Sequence, residues 1–568
     1  MAKIHQLSPE LIAKIAAGEV IERPAYAIKE LIENAVDAQA STIKIELLRA
    51  GLDKIIITDN GIGMDKEDIR ECFKPHTTSK ISNENDLFTV NSMGFRGEAL
   101  ASIATISDMT IRSRYIDDTL GTEIDLKIGN IEKMGPFGMP IGTEIIIRNI
   151  FNNVPARKKF INSPSVEFRL ILEMITALSL ALPGVGFSLY HNKRQVLDLP
   201  SEQSLLDRAS LLFGTEFKAN LLPVLIEDSY LKISGYIAKP QLSTRSGSKQ
   251  YLFINKRKII DKQLIATIKD TYGTLLEPRV HPIFILFFDM PYERVDVNIH
   301  PRKEQVAFTD PQFLVLTLRQ AVISRLSTEN LIYNDRRWQS GEYSPANYQP
   351  WSLRDGGMNS FASKLLKETT PWTVEKEILK SSDILQMHNL YLIAQTKNGI
   401  ILIVQHAAHE RILYEQFLLE FRKVRNEKVI YIFESPVNIE LSIHETQALR
   451  DNVSEIAELG FDIDADSLTI KSLPEIFKDR NPTSLLRELL EDLIENRALK
   501  DIDSKSNKMI AYLACRTAIK AGDKLSKEQA HNLIEKLNQC KTKFTCPHGR
   551  PVQIEISLNE LHHKFHRR

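Results

Sequence analysis

Along the first 330 residues, short apolar runs of period two alternate with stretches in which apolar positions recur at helical spacing. The runs IKIELL, KIIITD, MTIRSR and TEIIIRNI read as strands, and ELIENAVDA and LILEMITALSLAL as helices, so an α+β arrangement with a substantial sheet is expected. A second unit starts near residue 205, where LKISGYIAKP, YLFINKRKI and PIFILFFDM read as strands and FLVLTLRQAVISRL closes as an amphipathic helix. From 331 to about 378 the periodicity gives way to Ser, Pro, Asn and Gly, the composition of a flexible linker. Patterning returns at Ile384: NLYLIAQTKNGIILIVQHAAHERILYEQFLLEF predicts two strands around a Lys-Asn-Gly turn, then a helix. The expected boundaries are 1–204, 205–330, a linker over 331–378, and 379–568.

Length and composition agree with this division. A chain of 568 residues exceeds one core and suits roughly three to four domains. With 43% hydrophobic and 26% charged residues, wholesale disorder and a coiled-coil rod are excluded. No apolar run reaches the roughly 18–20 residues of a membrane helix, and MAKIHQLSPE lacks the layout of a signal peptide, so a soluble intracellular protein is expected. The four cysteines, Cys72, Cys515, Cys540 and Cys546, are too few for a disulfide framework, which leaves metal binding or packing as their use.

The formal net charge of 0 weighs against a strongly basic nucleic-acid binder until it is resolved by segment. Residues 1–150 carry −6, 151–330 carry +6, 331–433 carry +2, 434–503 carry −10 and 504–568 carry +8. Neutrality is a sum of opposed blocks, and it leaves room for local DNA-facing surfaces. The acidic stretch 434–503 interrupts the C-terminal domain and reads as an inserted helical subdomain.

Four segments carry candidate nucleotide chemistry. In KELIENAVDA, Glu30 and Asn34 lie four apart on one helical face, where a carboxylate can activate water and an amide oxygen can hold Mg²⁺ beside phosphates. In IIITDNGIGM a strand ends in Asp59, able to accept from an exocyclic amine, and Gly61 and Gly63 allow close backbone approach. HTTSK, from His76 to Lys80, and SMGFRGEALASI bracket a polar stretch, and Gly94-Phe95-Arg96-Gly97 opens a helix whose N–H groups can face phosphate oxygens. GTEIIIRNIF sets Gly142 and Thr143 at a strand start. Taken singly, each also fits a solvated helix face, an ordinary turn or plain strand chemistry.

Their order and spacing resemble the GHKL ATP fold shared by gyrase, heat-shock chaperones, histidine kinases and MutL; a GxxxxGK[ST] phosphate loop is absent. Within that superfamily, IAAGEVIERPAYAIKELIENAVDA, DNGIGM, HTTSK, GFRGEALASI, NNVPARKKF, FINKRKI and DVNIHPRKEQVAF resemble the MutL mismatch-repair family. The resemblance implies an N-terminal ATP-binding α/β sandwich, a ribosomal-protein-S5-like α+β transducer domain, a flexible linker and an α+β C-terminal dimerisation domain. It implies that Glu30 activates water, Asn34 holds Mg²⁺ and Asp59 recognises adenine. Thr78, Lys80, Gly94, Phe95, Arg96 and Gly97 would grip the phosphates of ATP together with Lys303, which matches a second-domain lysine reaching the γ-phosphate. The implied partners are DNA, a MutS-type mismatch-recognition protein, a second copy of the chain and the sliding clamp, and the implied location is the bacterial cytoplasm at the nucleoid. The clamp is the weaker inference, since YIFESP lacks the family's leading glutamine.

The last third holds a second constellation. QHAAHERILYE sets His406 and Glu410 on one helical face, ACRTAIKAGD supplies Cys515, and FTCPHGRPVQIEI supplies Cys546 and His548 in a tight loop, together a set suited to Zn²⁺ or Mn²⁺. Core packing for Cys515 and simple solvation for the histidines are the alternatives. These segments, with Glu415 and Phe565-His566-Arg567, resemble MutL members whose C-terminal domain nicks DNA, except that Val404 stands where the family has Asp. Losing that carboxylate bears more on a two-metal nicking mechanism than on soft-metal binding at Cys546 and His548. The competing expectation is an ATP-gated clamp with a non-cutting C-terminal domain. A topoisomerase subunit would need an acidic Asp-x-Asp metal domain after residue 330, and a chaperone would lack FRGEALASI, NNVPARKKF and NIHPRK. Arg157, Lys158 and Lys159, with Lys256, Arg257 and Lys258, form basic clusters without a base-reading motif, which predicts phosphate-led DNA contact.

Overall fold

The structure is a computed structural model that describes residues 8, 16–18, 20–75, 77, 98–228, 230–244, 247–276, 280–296, 306–328, 384–427, 430–494, 505–519, 523–547 and 550–564. The chain divides into two compact units, one formed by residues 1–334 with the short stretch 441–447, the other by 335–440 and 448–568. The expected linker, 331–378, lies outside the described residues.

The first unit contains two large sheets and a two-stranded pairing of Val295–Asp296 with Ala307–Phe308. The larger is built from β1 (Thr42–Leu48), β2 (Lys54–Asp59), β3 (Asp108–Arg114), β4 (Gly121–Lys127), β5 (Asn130–Phe137), β6 (Gly142–Arg148), β7 (Gly186–His191) and β8 (Arg194–Leu199). Their order is β5-β4-β3-β6-β2-β1-β7-β8, and β1 with β7 is the parallel pair. Period-two patterning buries Ile43, Ile45 and Leu47 from β1 on the face covered by helices. Helix α1 (Pro24–Asp37) starts with proline in its first turn and buries Ile28, Leu31 and Ile32, packing against β2. Helix α2 (Ala99–Thr105) follows the stretch 78–97, and α3 (Pro164–Ala181) packs beside α1 with Phe168, Ile171 and Ile175 in the same core.

After α4 (Leu205–Phe213), the second sheet forms from β9 (Leu221–Glu227), β10 (Lys232–Ala238), β11 (Gln250–Ile254), β12 (Arg257–Ile259) and β13 (Phe284–Asp289), in the order β12-β11-β13-β10-β9. Helices α5 (Lys262–Tyr272) and α6 (Pro311–Thr328) bury Leu264, Ile268, Leu318 and Val322 against it. The core of the first sheet runs on into Phe213, Phe217, Phe253 and Ile285, so the two halves of this unit share apolar contacts.

One fully buried cation ties these pieces together. The Arg208 guanidinium, on α4, donates to the carbonyls of Ser179 (3.3 Å), Pro183 (2.9 Å), Val185 (3.0 Å) and Pro200 (2.7 Å) and to Gln203 Oε1 (2.8 Å). Burial pushes it down to about 10, which leaves it charged at neutral pH. The partners sit at the end of α3, before β7 and after β8, so a single side chain ties the last turn of α3 to the α3–β7 and β8–α4 connections. Arg208→Met should lower the stability of this unit by about 3–5 kcal/mol, because the stranded carbonyls lose their donors. The midpoint of urea unfolding, followed in the full chain, measures it.

In the second unit, β14 (Leu385–Met387), β15 (Tyr391–Thr396), β16 (Gly399–Val404) and β20 (Gln553–Ser557) form a sheet in that order. The turn between Thr396 and Gly399 is the expected Lys-Asn-Gly hairpin, and α7 (Gln405–Glu427) follows β16 directly. The inserted region holds α8 (Ile443–Glu458), whose residues to Gln447 count with the first unit, and α9 (Pro482–Ile494), and adds a three-stranded sheet from β17 (Ile430–Asn438), β18 (Asp462–Asp464) and β19 (Thr469–Pro474). Those strands escaped the helical reading because β18 has one buried residue, Ile463, between two aspartates. Helices α10 (Lys505–Thr517) and α11 (Lys527–Gln539) pack on α7. Among the described residues, no helix is long and apolar enough to cross a membrane.

Candidate nucleotide-binding site

Asp59 is the last residue of β2, and its surroundings are locked by backbone contacts. Its Oδ1 accepts from Gly61 N–H at 2.9 Å. Burial pushes the carboxyl above its ordinary range, while the amides of Gly61 and Thr143 pull it back. Glycines are required here by space, Gly61 among them, where a Cβ would lie 2.6 Å from Ala38 O. At Gly63, with φ +73°, a Cβ would lie 2.0 Å from Arg114 O; at Gly142, with φ +127°, it would lie 2.1 Å from Asp59 O. Ser113, buried on β3, joins the same pieces: its hydroxyl accepts from Met64 N–H (2.8 Å), donates to Gly142 O (3.1 Å) and meets Thr143 Oγ1 (2.9 Å). Asn60 turns away instead, its Oδ1 accepting from the Ser41 and Thr42 amides at 2.9 Å each.

Helix α1 is joined to this loop at its end, where Ile62 N–H donates to Ala38 O at 3.0 Å. Glu30 and Asn34 are both half-buried, on a face distinct from the buried Ile28, Leu31 and Ile32. The helix start is set by an ion pair: Arg23, its N-cap, donates to Glu167 Oε1 at 2.6 Å, and the fully buried Glu167 also accepts from Asn162 N–H at 3.0 Å. Sequence reasoning missed Ser113, Arg23 and Glu167. Only the Arg-Pro that opens α1 offered a local signal; the other two matter through contacts distant in the chain. The structure thus brings Asp59, Gly61, Gly63 and Thr143 together beside the end of the Glu30 and Asn34 helix. Thr78, Lys80, Gly94, Phe95, Arg96, Gly97 and Lys303 lie outside the described residues.

The basic clusters divide by use. Arg157 donates to Gly18 O, Lys158 to Asn152 Oδ1 (2.8 Å), and Lys258 pairs with Glu173 (3.3 Å). Lys159 and Lys256 are exposed, and Arg257 is half-buried.

In the second unit, His406 Nδ1 donates to Ile519 O at 2.7 Å, and Ile519 N–H donates to His409 Nδ1 at 2.8 Å, so the two imidazoles hold the backbone of one residue from both sides. The first bond turns His406 Nε2 toward the buried Glu410, 3.1 Å from its Oε1. Nearby, Arg411 donates to Thr545 O (2.6 Å), and Glu415 accepts from the Lys541 and Thr542 amides (2.7 and 3.0 Å). Cys546 is 1% exposed within the apolar core, and its N–H donates to Arg550 O at 2.8 Å, closing the expected tight loop. His548 and the side chain of Cys515 lie outside the described residues, and among the described residues no three His, Cys, Asp or Glu gather as a metal cluster. The donor set that is described, an imidazole with its far nitrogen held by a carbonyl and a buried carboxylate, fits two ligands of a cation.

The sheet, the locked Asp59 turn and the helix beside it define an ATP-binding module. Residues 22–138 match the family described as histidine kinase-, DNA gyrase B- and HSP90-like ATPase, 209–327 match the C-terminal domain of DNA mismatch repair protein, and 384–525 match the MutL C terminal dimerisation domain. DNA mismatch repair protein MutL of Halothermothrix orenii is 31% identical over 99% of both chains, and that of Coxiella burnetii is 33% identical over 99% of both. A solved N-terminal domain of a DNA repair protein, 23% identical, superposes with a TM-score of 0.50 over 56% of this chain and 99% of its own, a likeness of fold. The chain belongs to the MutL family of DNA mismatch repair proteins. It is a mismatch-repair ATPase with a C-terminal dimerisation domain.

Gly63→Ala should weaken ATP binding by at least about tenfold, since the added methyl must displace Arg114 and strain a left-handed backbone by about 1–3 kcal/mol. Titration with a fluorescent ATP analogue reads the loss, and the unfolding midpoint reads the strain.

Proposed function

We propose that this chain is an ATP-switched matchmaker that links mismatch recognition to strand incision. The reading is supported chiefly by the Asp59 turn, whose carboxylate is held by Gly61 and Thr143 and whose backbone is bonded to the end of α1. In this role Asp59 accepts from the adenine amine and Glu30 orients and deprotonates the attacking water. Asn34 would hold Mg²⁺ beside the phosphates, whose charge the metal would offset. Thr78, Lys80, Gly94, Phe95, Arg96 and Gly97 grip the phosphates, and Lys303 pairs with the γ-phosphate, so the contact is lost when hydrolysis removes that charge. The domain limits 1–204, 205–330, 331–378 and 379–568 follow this division of labour. Two copies pair through the C-terminal domain, DNA is held by phosphate contacts to exposed cations such as Lys159 and Lys256, and a MutS-type protein and the sliding clamp are the partners. Glu30→Ala should retain ATP binding while turnover falls by at least about 100-fold. Undiminished phosphate release with intact binding removes Glu30 from this role.

The C-terminal reading is a latent nicking endonuclease. His406 and Glu410, with Cys515, Cys546 and His548, would hold Zn²⁺ or Mn²⁺, which would supply Lewis-acid chemistry there. Val404 at the acidic position favours the second reading, a clamp whose C-terminal domain only dimerises. A supercoiled-plasmid assay with Mn²⁺, with and without ATP, separates the two. Nicking by the wild type and its loss in Glu410→Lys is the expected outcome; equal traces for both proteins leave the clamp reading.

A further inference from the structure

A cavity of about 370 Å³ lies within the first unit, walled by α1, α3 and the β11–β12 hairpin. Its volume falls in the range of small-ligand sites, and nothing in the ATPase reading uses it. The floor is apolar, formed by Met174 and Leu178 from α3 and Phe253 from β11. The rim is cationic: five basic side chains line the cavity against two carboxylates, Glu33 and Glu173. Lys29 lies 3.7 Å from Glu33, Lys258 3.3 Å from Glu173, and Arg23 2.6 Å from Glu167 outside the lining, so the exposed Lys256 is the cation the rim presents.

The hairpin that carries Lys256 is held in place. Its two turn residues, Asn255 and Lys256, have φ of +46° and +66°, as a tight two-residue turn requires. The Asn255 amide clamps the turn from below, donating to Met290 O at 2.9 Å and accepting from Met290 N–H at 3.1 Å. The exposed Lys256 is therefore presented at the rim by a backbone with little freedom, which lowers the entropic cost of meeting an anion.

We infer that this cavity is a binding site for a small amphipathic anion, one carboxylate or sulfonate on an apolar or aromatic body. The body lies on Met174, Leu178 and Phe253, and the charge meets Lys256 and its basic neighbours. Inside the cavity the chemistry is that of a small molecule, because an apolar floor gives a phosphodiester chain nothing to bury; Lys256, at the rim, is the one group this ligand shares with the DNA contact proposed above.

The full chain is titrated with 8-anilinonaphthalene-1-sulfonate and, in parallel, with N-phenyl-1-naphthylamine, the same ring system without the sulfonate. The expected result is a saturable component for the sulfonate that is at least about tenfold weaker for the neutral analogue and about tenfold weaker in Lys256→Glu. Met174→Trp, which fills the floor, should abolish it, and Leu170→Phe on the same wall serves if the first variant does not unfold cooperatively. Equal binding of the two probes, or a sulfonate component unchanged in a folded cavity-filling variant, overturns the assignment. Glu30→Ala should bind the sulfonate as the wild type does, so this outcome is independent of the ATPase mechanism.

Discussion

Where β6 begins, the chain passes so close to the end of β2 that only a hydrogen fits between Gly142 and the carbonyl of Asp59. The rest of the site depends on that contact. It puts the Thr143 amide on the Asp59 carboxylate, sets Ser113 to join three backbone segments, and leaves Gly63 pressed against Arg114 on the neighbouring strand. A carboxylate held this way has little freedom to reorganise, which suits the amine contact proposed for it. Asn60 is part of the same economy: it serves the start of β1 and leaves the ligand side to Asp59.

Two arginines, the half-buried Arg23 and the fully buried Arg208, extend this order outward. Arg23 places the start of α1 through Glu167, and Arg208 gathers carbonyls from the end of α3 and two connections without any carboxylate. Such groups are costly to bury unless every donor is met, so they hold one arrangement against its neighbours. Together they bind α1, α3 and α4 to the sheet, and through the shared apolar core they join the ATP-binding part to the second sheet of the same unit. The cavity beneath the β11–β12 hairpin sits along this seam.

In the second unit the order comes from the backbone of one residue rather than from a cation. His406 and His409 hold the two sides of Ile519, and that choice of bond turns the remaining nitrogen of His406 toward Glu410. Glu415, a repeated acid in the same motif, is committed to the Lys541 and Thr542 amides, so the two glutamates of one helix have different work. Cys546 is a member of the apolar core while its loop stays tightly closed.

Strand and helix periodicity along the first 330 residues was legible in the sequence because burial on one face imposes it locally, and so were the Lys-Asn-Gly hairpin and the helix carrying His406. The motif residues Glu30, Asn34, Asp59, Gly61 and Gly63 stood out because their chemistry and spacing are carried by adjacent positions. The insert was read as helical because net charge says nothing of strands as short as Asp462–Asp464. By itself, then, the sequence determined which segments fold and which side chains bear chemistry, both properties of neighbours in the chain. Tertiary structure alone decided that Glu167 anchors Arg23, that Ser113 bridges the Asp59 turn, and that Arg157 is spent on a carbonyl. Those contacts join residues far apart in the chain, and no local pattern records which distant carbonyl or amide will meet a given side chain once the core has closed.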